Sequence, residues 1–413
     1  MIDKNGVRQL AYVVKIDDIK PIEGKDRVEC AVIGGWSVMV RKGELSAGDY
    51  AVYFEIDSKV PADAPFDFLK AKHYKIKTQR YKTPSGAFFS QGLVMPFKDF
   101  VINDETPDWL LDLEKMNAAG KDIEHYFLTD ALGVTYSSAE DRERKSQMSP
   151  TLMSLKTRHP KVFKNKIIKW LLKKEISQKF VLWVFRKRDS ERSFPSGKFE
   201  GVAVTDQERC ENMTWVLQDK TPFIVTQKCD GSSATYILER RPHGKFKFWV
   251  CSRRVNLKRD DETYHGYNYY WDAADLYDIQ NKMKSYLKEH PKTTFVCWQG
   301  ELCNPNIQGN PHKLTRTHLY CFHWTDSENG RLDIREAKKL WDKYGMETVP
   351  IVGTVVLPDD FEEFKLSADG FYDPIVCEGA AKQKREGFVY YKTTDPAFSF
   401  KNVSRNYLLS KKN

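Results

Sequence analysis

Short strand-like segments separated by turns fill residues 10–95, and this pattern constrains the fold more than any other feature of the chain. Apolar and polar residues alternate in Trp36–Val40, as expected of a strand with one buried face. Glycine-containing turn sequences follow at residues 42–44 and 47–49. The predicted strands are Leu10–Val14, Val28–Val32, Trp36–Val40, Tyr50–Ile56 and Gln91–Met95. A five-stranded OB-fold barrel has this length and spacing.

A candidate nucleophile follows the apolar stretch Phe223–Thr226, which predicts a strand. Lys228 begins the sequence Lys-Cys-Asp-Gly, whose Asp-Gly pair favours a sharp turn. An amine is nucleophilic near neutral pH only when its ammonium form is disfavoured by burial, by other cations or by a metal. The alternative interpretation is a lysine at the mouth of a hairpin turn, without chemistry.

Further segments follow Lys228 in order, and their residue types suit transfer of a nucleotide from ATP. They are Cys251–Arg254, Phe295–Leu302, Leu319–Phe322, Arg385–Val389 and Ser399–Lys401. In phosphoryl transfer a protein mainly positions the reactants and neutralises charge. Arg253 has a planar fork of donors for phosphate or ribose, and Glu301 can accept from a ribose hydroxyl.

Three more side chains complete this chemical interpretation. Phe322 offers a flat face for adenine, Glu386 a hard oxygen of the kind that Mg²⁺ prefers, and Lys401 a point charge for the alpha phosphate. Each residue also has a simpler interpretation. An aromatic residue such as Phe322 is more often part of a core, Glu386 with the next glycine is more often a turn, and Arg253 can be a solvated strand end.

The ordered series resembles the motifs of the covalent nucleotidyltransferase superfamily, which comprises polynucleotide ligases and RNA capping enzymes. Segments Arg41–Leu45, Gly48–Asp57 and Ser90–Leu93 resemble the OB domain that precedes the catalytic domain in one family of ATP-dependent RNA ligases. Thr205–Asn212 and Asn306–Asn310 resemble two further segments of that family. DNA ligases and capping enzymes carry the OB domain after the last motif, and too few residues follow Lys401 here for such a domain.

The resemblance implies an α+β fold with an N-terminal OB-fold β-barrel (1–105) and an ATP-grasp-like adenylyltransferase domain of antiparallel sheets with helices (196–413). Between them lies a linker or insert (106–195) that has no counterpart in the family, and its own sequence predicts a basic amphipathic helix. The resemblance also implies ATP-dependent sealing of a 3′-OH RNA end to a 5′-phosphate, often at a nick in a duplex, through a lysyl-AMP intermediate. The alternatives are a capping-type guanylyltransferase that uses GTP, and a nucleic-acid-binding protein without catalysis.

The resemblance assigns roles to individual residues. Lys228, Lys401 and Glu386 are expected to be catalytic, with Glu386 also holding Mg²⁺ or Mn²⁺. The residues expected to bind ATP are Gln227, Asp230, Gly231, Arg253, Glu301, Phe322 and Arg209. The family has a second lysine two positions before Lys401, where this chain has Ser399; Lys392 and Lys411 are the candidate replacements.

A basic segment, residues 161–188, carries the net charge of the whole chain. Its ten Lys and Arg residues and single acidic residue, Glu175, give a charge of +9, equal to the formal net charge of all 413 residues. Apolar residues recur every four positions from Ile168 to Val184, which predicts a basic amphipathic helix. The sequence leaves three roles open for this predicted helix. It can bind the phosphate backbone of a nucleic acid, dock on the protein core, or bind a membrane surface.

Composition favours a soluble intracellular protein, which we expect to be cytoplasmic and not bound to a membrane; we also expect a monomer. No stretch of about 18 uncharged apolar residues is present, and the start lacks the apolar core of a signal peptide. The eight cysteines contain no Cys-x-x-Cys pair, which favours reduced thiols over disulfides or a zinc site. The nine histidines show no metal-binding spacing, and His312, His318 and His323, which lie near the nucleotide motifs, are expected to be structural.

Overall fold

The computed structural model describes residues 1–4, 6–136, 193–263, 266–377 and 383–410. The basic segment and Lys411 lie outside these residues. The described chain divides into two compact units. The first combines residues up to 136 with Asp206–Cys229 and the chain from Pro350 onward, and the second combines residues 193–205 with Asp230–Val349.

The strands of both units are numbered together in chain order. They are β1 (Ala11–Lys15), β2 (Asp18–Pro21), β3 (Val28–Ile33), β4 (Trp36–Arg41), β5 (Tyr50–Phe54), β6 (Ser58–Lys59), β7 (Lys75–Ile76), β8 (Gln79–Thr83), β9 (Gly86–Ser90), β10 (Leu93–Pro96), β11 (Thr135–Tyr136), β12 (Glu208–Arg209), β13 (Phe223–Gln227), β14 (Ser232–Arg240), β15 (Phe246–Cys251), β16 (Phe295–Cys303), β17 (His318–Asp326), β18 (Gly330–Arg331), β19 (Ile351–Val355), β20 (Gly387–Lys392) and β21 (Asp395–Val403).

The α-helices are α1 (Asp108–Ala118), α2 (Tyr269–Leu276), α3 (Ile279–Glu289), α4 (Ile334–Lys343), α5 (Phe361–Leu366) and α6 (Arg405–Ser410). Short 3-10 helices span Asp67–Lys72, Phe97–Phe100, Cys210–Asn212, Thr214–Gln218, Pro242–Gly244 and Pro374–Val376. None of the described helices is long and apolar enough to cross a membrane.

The five predicted strands correspond to β1, β3, β4, β5 and β10. Antiparallel pairing joins them into two sheets, β1–β5–β10 and β2–β3–β4, and β8 pairs with β9 in a separate two-stranded ribbon. The alternation expected in Trp36–Val40 is present: Trp36, Val38 and Val40 are buried, and the residues between them are half-buried. The OB-fold and the α+β class are confirmed, whereas closure of the barrel remains a prediction.

Apolar packing around β1 and β5 continues past residue 105, where sequence analysis places the end of the OB-fold domain. Leu113 of α1 and Leu128 are fully buried in the same core as Val13 and Phe54. Helix α1 therefore belongs to the packed core of this region. The predicted boundaries at residues 105 and 195 remain predictions.

A second sheet in the first unit has the strand order β12–β21–β20–β13–β19. All its pairs are antiparallel except β12 with β21. Phe223, Tyr390 and Phe400 pack together on one face of this sheet. Because β13, β20 and β21 are adjacent, side chains at their ends are placed close together.

The second unit contains the antiparallel sheet β15–β14–β16–β17–β18. Strands β14, β16 and β17 are buried on both faces along most of their length, and they are accordingly rich in apolar residues. Trp298 and Trp324 from the sheet pack with Trp341 of α4. Asp333 caps the start of helix α4, and its side chain accepts a hydrogen bond from the Arg335 amide.

Candidate active site

Lys228 lies directly after β13, as the sequence predicts. Its amide donates to the Gly387 carbonyl at 3.0 Å, which holds the residue beside the start of β20. The Lys228 ammonium lies 2.8 Å from Oε2 of Glu386, and their side chains are 22% and 12% exposed. The candidate nucleophile is thus a partly buried lysine held in an ion pair, not a solvated turn residue.

Gly387 explains how Glu386 reaches this position. A Cβ atom at Gly387 would lie 2.1 Å from the Asn402 carbonyl, and its φ of +141° is in the region that favours glycine. Glycine therefore allows β20 to approach β21 closely at this point. Glu386, one residue earlier, is brought to the end of β13 where Lys228 stands.

Lys401 is placed two strands from β13, on β21 opposite Val389. Its ammonium donates to Oδ1 of Asp206 at 2.9 Å. Burial lowers the pKa of Lys401 to about 8; Asp206 raises it, and Arg8, Arg209 and Lys228 lower it further. Lys401 is therefore a cation with only 12% of its side chain exposed, within the electrostatic reach of the candidate nucleophile.

Arg209 stands beside Lys401 because β12 runs parallel to β21 with these two residues in register. One nitrogen donates to Oδ2 of Asp57 at 3.2 Å, and the guanidinium lies 5.9 Å from the centre of the Trp36 ring. The other terminal nitrogen, Nη1, is buried and has no hydrogen-bond partner among the described residues. Buried donors are rarely left unpaired, so this nitrogen is suited to bind an acceptor from a ligand.

Gln227 presents a second buried donor of this kind. Its Oε1 accepts from the Asp373 amide at 2.9 Å, while Nε2 lacks a hydrogen-bond partner within the described parts of the chain. The Gln227 side-chain amide is thus held through its oxygen, and its nitrogen can donate a hydrogen bond to a ligand. The first unit brings together Gln227, Lys228, Arg209, Glu386 and Lys401.

The remaining predicted residues belong to the second unit. The Asp230 amide donates to Nε2 of His312 at 3.1 Å, and the Gly231 amide donates to Oε1 of Glu301 at 3.0 Å. A Cβ atom at Gly231 would lie 2.4 Å from the Leu302 carbonyl. Glycine is therefore required here by the close approach of β16, and the turn after Lys228 is fixed to Glu301.

Phe322 occupies an irregular position on β17. Cys321 pairs with Gly300 and His323 with Gln299, so Phe322 is the extra residue of a β-bulge. Its side chain is half-buried although both neighbours are buried. Bulges redirect side chains and are common beside active sites; this placement leaves part of the ring accessible.

Arg253 lies in the turn that follows β15. The turn is closed by a 2.9 Å hydrogen bond from the Ser252 amide to the Val255 carbonyl, and Arg253 is half-buried. Strand order places β15 at the edge of its sheet, separated from Glu301 on β16 by β14. The expected contacts of Arg253, Glu301 and Phe322 with a nucleotide remain predictions.

Lys392, one of the two candidate replacements for the missing lysine, forms an ion pair outside the group around Lys401. Its ammonium lies 2.6 Å from Oδ2 of Asp219, which lowers the pKa of that carboxyl to about 2. Ser399 lies opposite Tyr391 on β21. A cation already present beside Lys401 is Arg209 on β12.

Arg8 and Asp206 were not predicted as site residues, although they support Lys401. The Arg8 guanidinium donates to both carboxylate oxygens of Asp206, each at 3.1 Å, and also to Glu55 and Glu208 at 3.1 and 3.3 Å. The Arg8 side chain is only 5% exposed. A lone arginine near the amino end carries no motif, so no sequence signal identifies it.

The metal-binding expectation rests on Glu386 alone. Among the described residues no group of three or more His, Cys, Asp or Glu side chains is arranged to hold a metal ion. Oε2 of Glu386 is buried and its contact with Lys228 lacks hydrogen-bond geometry. A single carboxylate fits Mg²⁺, which usually takes its other ligands from substrate phosphates and water.

Comparison with solved structures identifies the fold of the described parts of the chain. An RNA ligase mutant of Naegleria gruberi with ATP and Mn matches with a TM-score of 0.67 at 23% identity, covering 98% of this chain and 99% of the other. The same organism's RNA ligase with PPi matches with a TM-score of 0.66 at 24% identity, covering 98% and 99%. A search of curated proteins found no match.

Family models match two parts of the chain. Residues 10–97 match an OB-fold domain, and residues 221–404 match the RNA ligase domain. The second range contains Lys228, Glu386 and Lys401, whose arrangement is described above. The predicted relationship is confirmed: the chain carries an OB-fold domain followed by an RNA ligase domain.

Proposed function

We propose that the protein is an ATP-dependent RNA ligase that joins a 3′-OH RNA end to a 5′-phosphate end, acting at nicks in duplexes. The observation that carries the proposal is the 2.8 Å contact between Lys228 and Glu386 at the ends of adjacent strands. Both residues lie within the part of the chain that matches the RNA ligase domain. Such a pair places a lysine nucleophile beside the carboxylate that a nucleotide-bound metal needs.

Lys228 is proposed to form the covalent intermediate. An ammonium group cannot attack, so the ion pair with Glu386 must open and Lys228 must lose a proton before it reacts. The amine nitrogen then attacks the alpha phosphorus of ATP; a nitrogen–phosphorus bond forms and the bond to pyrophosphate breaks. The product is lysyl-AMP.

Two further transfers complete the proposed reaction. An oxygen of the RNA 5′-phosphate attacks the AMP phosphorus, and the bond to Lys228 breaks. The 3′-hydroxyl of the other RNA end then attacks the activated 5′-phosphorus, forms the phosphodiester and releases AMP. Atoms balance over the three steps, with ATP converted to AMP and pyrophosphate.

The surrounding residues suit the charge that develops at the alpha phosphate. The Lys401 ammonium group belongs to a side chain that is only 12% exposed, and positive charge in a desolvated site stabilises a phosphoryl transition state strongly. Arg209 and Gln227 each have a buried N–H group without a protein acceptor in the described residues. We propose that these donors bind nucleotide oxygens, together with Asp230, Gly231, Arg253, Glu301 and Phe322.

Mg²⁺ or Mn²⁺ is the proposed metal, held through the Glu386 carboxylate and the phosphates of ATP. When bound, such an ion neutralises phosphate charge and polarises the reacting phosphoryl group. The proposal also includes a monomeric enzyme in the cytoplasm. In support of a reducing compartment, all eight cysteines are buried thiols.

Labelling with alpha-labelled nucleotide tests the proposal. The protein with Mg²⁺ should become labelled by ATP, and Lys228→Ala should abolish both labelling and sealing of a nicked RNA duplex. Lys220→Ala is the matched control, because this lysine precedes β13 in the same segment but is 51% exposed and paired with Asp359. Labelling by GTP instead would favour a guanylyltransferase, and undiminished labelling of Lys228→Ala would exclude Lys228 as the nucleophile.

A further inference from the structure

The chain between Asp67 and Asp99 contains no acidic residue, although basic and acidic residues are equal in number outside the basic segment. The basic residues in this interval are Lys70, Lys72, Lys75, Lys77, Arg80, Lys82 and Lys98. The first six fall within residues 70–82, which we name the OB basic stretch. This concentration of one charge lies in the connection between β5 and β10.

The structure brings the two ends of the OB basic stretch together. The Lys72 ammonium donates to Oε1 of Gln79 at 3.0 Å, and the Tyr81 hydroxyl donates to the same atom at 2.6 Å. The first bond joins the end of the 3-10 helix Asp67–Lys72 to β8, and the second lies within β8. Arg80 and Lys82 are exposed, whereas Tyr81 between them is half-buried, so the two cations share one face of the β8–β9 ribbon.

Four cations of the OB basic stretch have no countercharge within the described parts of the chain. Lys70, Lys75, Arg80 and Lys82 have no ion-pair partner among the described residues. The Glu23 carboxylate contacts the ribbon turn, where it accepts a hydrogen bond from the Ser85 amide at 3.0 Å and not from a cation. By contrast, many surface lysines elsewhere are paired, as in Lys338 with Asp342 and Lys343 with Glu289.

A set of exposed cations without countercharges attracts a polyanion. An aromatic side chain beside it, Phe68, is 59% exposed, and an exposed ring next to cations is suited to contact nucleotides. We infer that the OB basic stretch binds the sugar-phosphate backbone of the RNA substrate. The choice of RNA rests on the proposed function, whereas the existence of an anion-binding face rests on the charges alone.

Salt dependence of binding tests the inference. The triple variant Lys70→Gln, Arg80→Gln, Lys82→Gln removes three exposed cations and spares Lys72, which bonds to Gln79. Binding of the full-length protein to a nicked RNA duplex with a blocked 3′ end is measured from about 50 to 200 mM salt, a range over which phosphate contacts change affinity strongly. The slope of log affinity against log salt should become shallower by about two to three units, roughly one for each lost phosphate contact.

The matched control is Lys121→Gln, Lys288→Gln, Lys292→Gln, which removes the same charge from exposed lysines outside the OB basic stretch. Its slope should stay close to that of the unchanged protein. An equal loss of slope in both variants, or no loss in the first, would overturn the inference. So would a first variant that binds RNA normally but loses binding to vesicles of anionic lipid, because the face would then recognise a membrane.

Adenylation with labelled ATP separates this inference from the proposed function. That step uses no RNA, so the first variant should label as the unchanged protein does while it binds RNA less strongly. If the unchanged protein labels with ATP and does not bind RNA, the inference fails and adenylation stands. If the unchanged protein binds RNA through this face and does not label, the proposed ligase function fails and the RNA-binding surface stands.

Discussion

Lys401 is the residue whose chemistry most depends on its surroundings. The proposed reaction needs its positive charge, but burial lowers its pKa to about 8. The ammonium form is present below this pH and is lost as the pH rises through it. We therefore predict that kcat/KM for adenylation, which reports the free enzyme, falls as the pH rises through about 8.

Lys401→Arg is the variant that checks this prediction. A guanidinium stays charged throughout the accessible range, so the variant should keep its adenylation rate constant above pH 8, even if its rate at pH 7 is lower. An identical decline in both proteins would assign the titration to another group.

The free energy of unfolding should rise with pH over the range in which kcat/KM for adenylation falls. A lysine with a lowered pKa in the folded state binds fewer protons there than in the unfolded chain, whose lysines titrate near 10.4. Lys401 therefore contributes a rising free energy of unfolding as the pH increases from about 8 to that value. Unfolding by urea at pH 7 and 9 separates loss of charge at the site from loss of structure.

The residues that sequence analysis identified are those whose spacing is fixed by backbone geometry. Lys228 follows a strand and precedes a turn, and Glu386 precedes a glycine that lets two strands approach. Arg8 and Asp206 escaped detection because their contact depends on how distant segments pack. The ion pair of Lys392 with Asp219 also depends on the packing of distant segments, and Lys392 as the replacement lysine remains a prediction.

At the scale of elements, a buried ion pair joins α5 to the 3-10 helix Cys210–Asn212. The Lys365 ammonium lies 2.8 Å from Oε1 of Glu211, and both side chains are fully buried. Lys365 also donates to the Val403 carbonyl at 3.0 Å, at the end of β21. The contact thus connects a helix, a short turn and a strand of the site-bearing sheet.

We predict that Lys365→Met lowers the free energy of unfolding by about 3–5 kcal/mol, because Glu211 would remain buried without its countercharge. The double variant Lys365→Met, Glu211→Gln should recover part of this loss, since the unpaired charge is then removed. Urea unfolding measures both. Lys338→Met on α4 is the control: its exposed pair with Asp342 should contribute no more than about 0.5 kcal/mol.

Element positions were predictable to different degrees. The five OB-fold strands were found from apolar alternation and turns, because both signals are local. The β-bulge at Phe322 was not, since a one-residue offset between β16 and β17 leaves no trace in the sequence of either strand. The same holds for α1, whose apolar residues do not reveal that they pack with β1 and β5.

At the scale of the whole molecule, charge is distributed in two ways. The basic segment 161–188 holds the entire net charge, whereas the OB basic stretch is balanced by acidic residues elsewhere in the chain. The net charge of the whole chain reveals the basic segment 161–188 but hides the OB basic stretch. This is why the sequence analysis identified only one of the two candidate RNA-binding regions.

If residues 161–188 bind the phosphate backbone, reversing the charge of several of their lysines should weaken RNA binding and flatten its salt dependence by about one unit for each lost contact. Adenylation of Lys228 should persist. A helix docked on the protein would instead lose stability on Leu172→Ala or Phe180→Ala and tolerate the lysine changes. Binding across a salt series and urea unfolding of both variants distinguish these outcomes, and an unchanged slope in the lysine variant would contradict RNA binding.

The double hydrogen bond between Arg8 and Asp206 has a consequence for any attempt to dissect this protein. A fragment that starts at residue 196 would keep every nucleotidyltransferase motif but would lack Arg8. Asp206, the carboxylate partner of Lys401, would then lose the guanidinium that binds it. The pKa of Lys401 and the adenylation rate of the fragment would then reflect a different electrostatic environment. The nucleotidyltransferase domain by itself is therefore not equivalent to the same domain in the full chain. A fragment that keeps this contact has to include Arg8, which precedes β1.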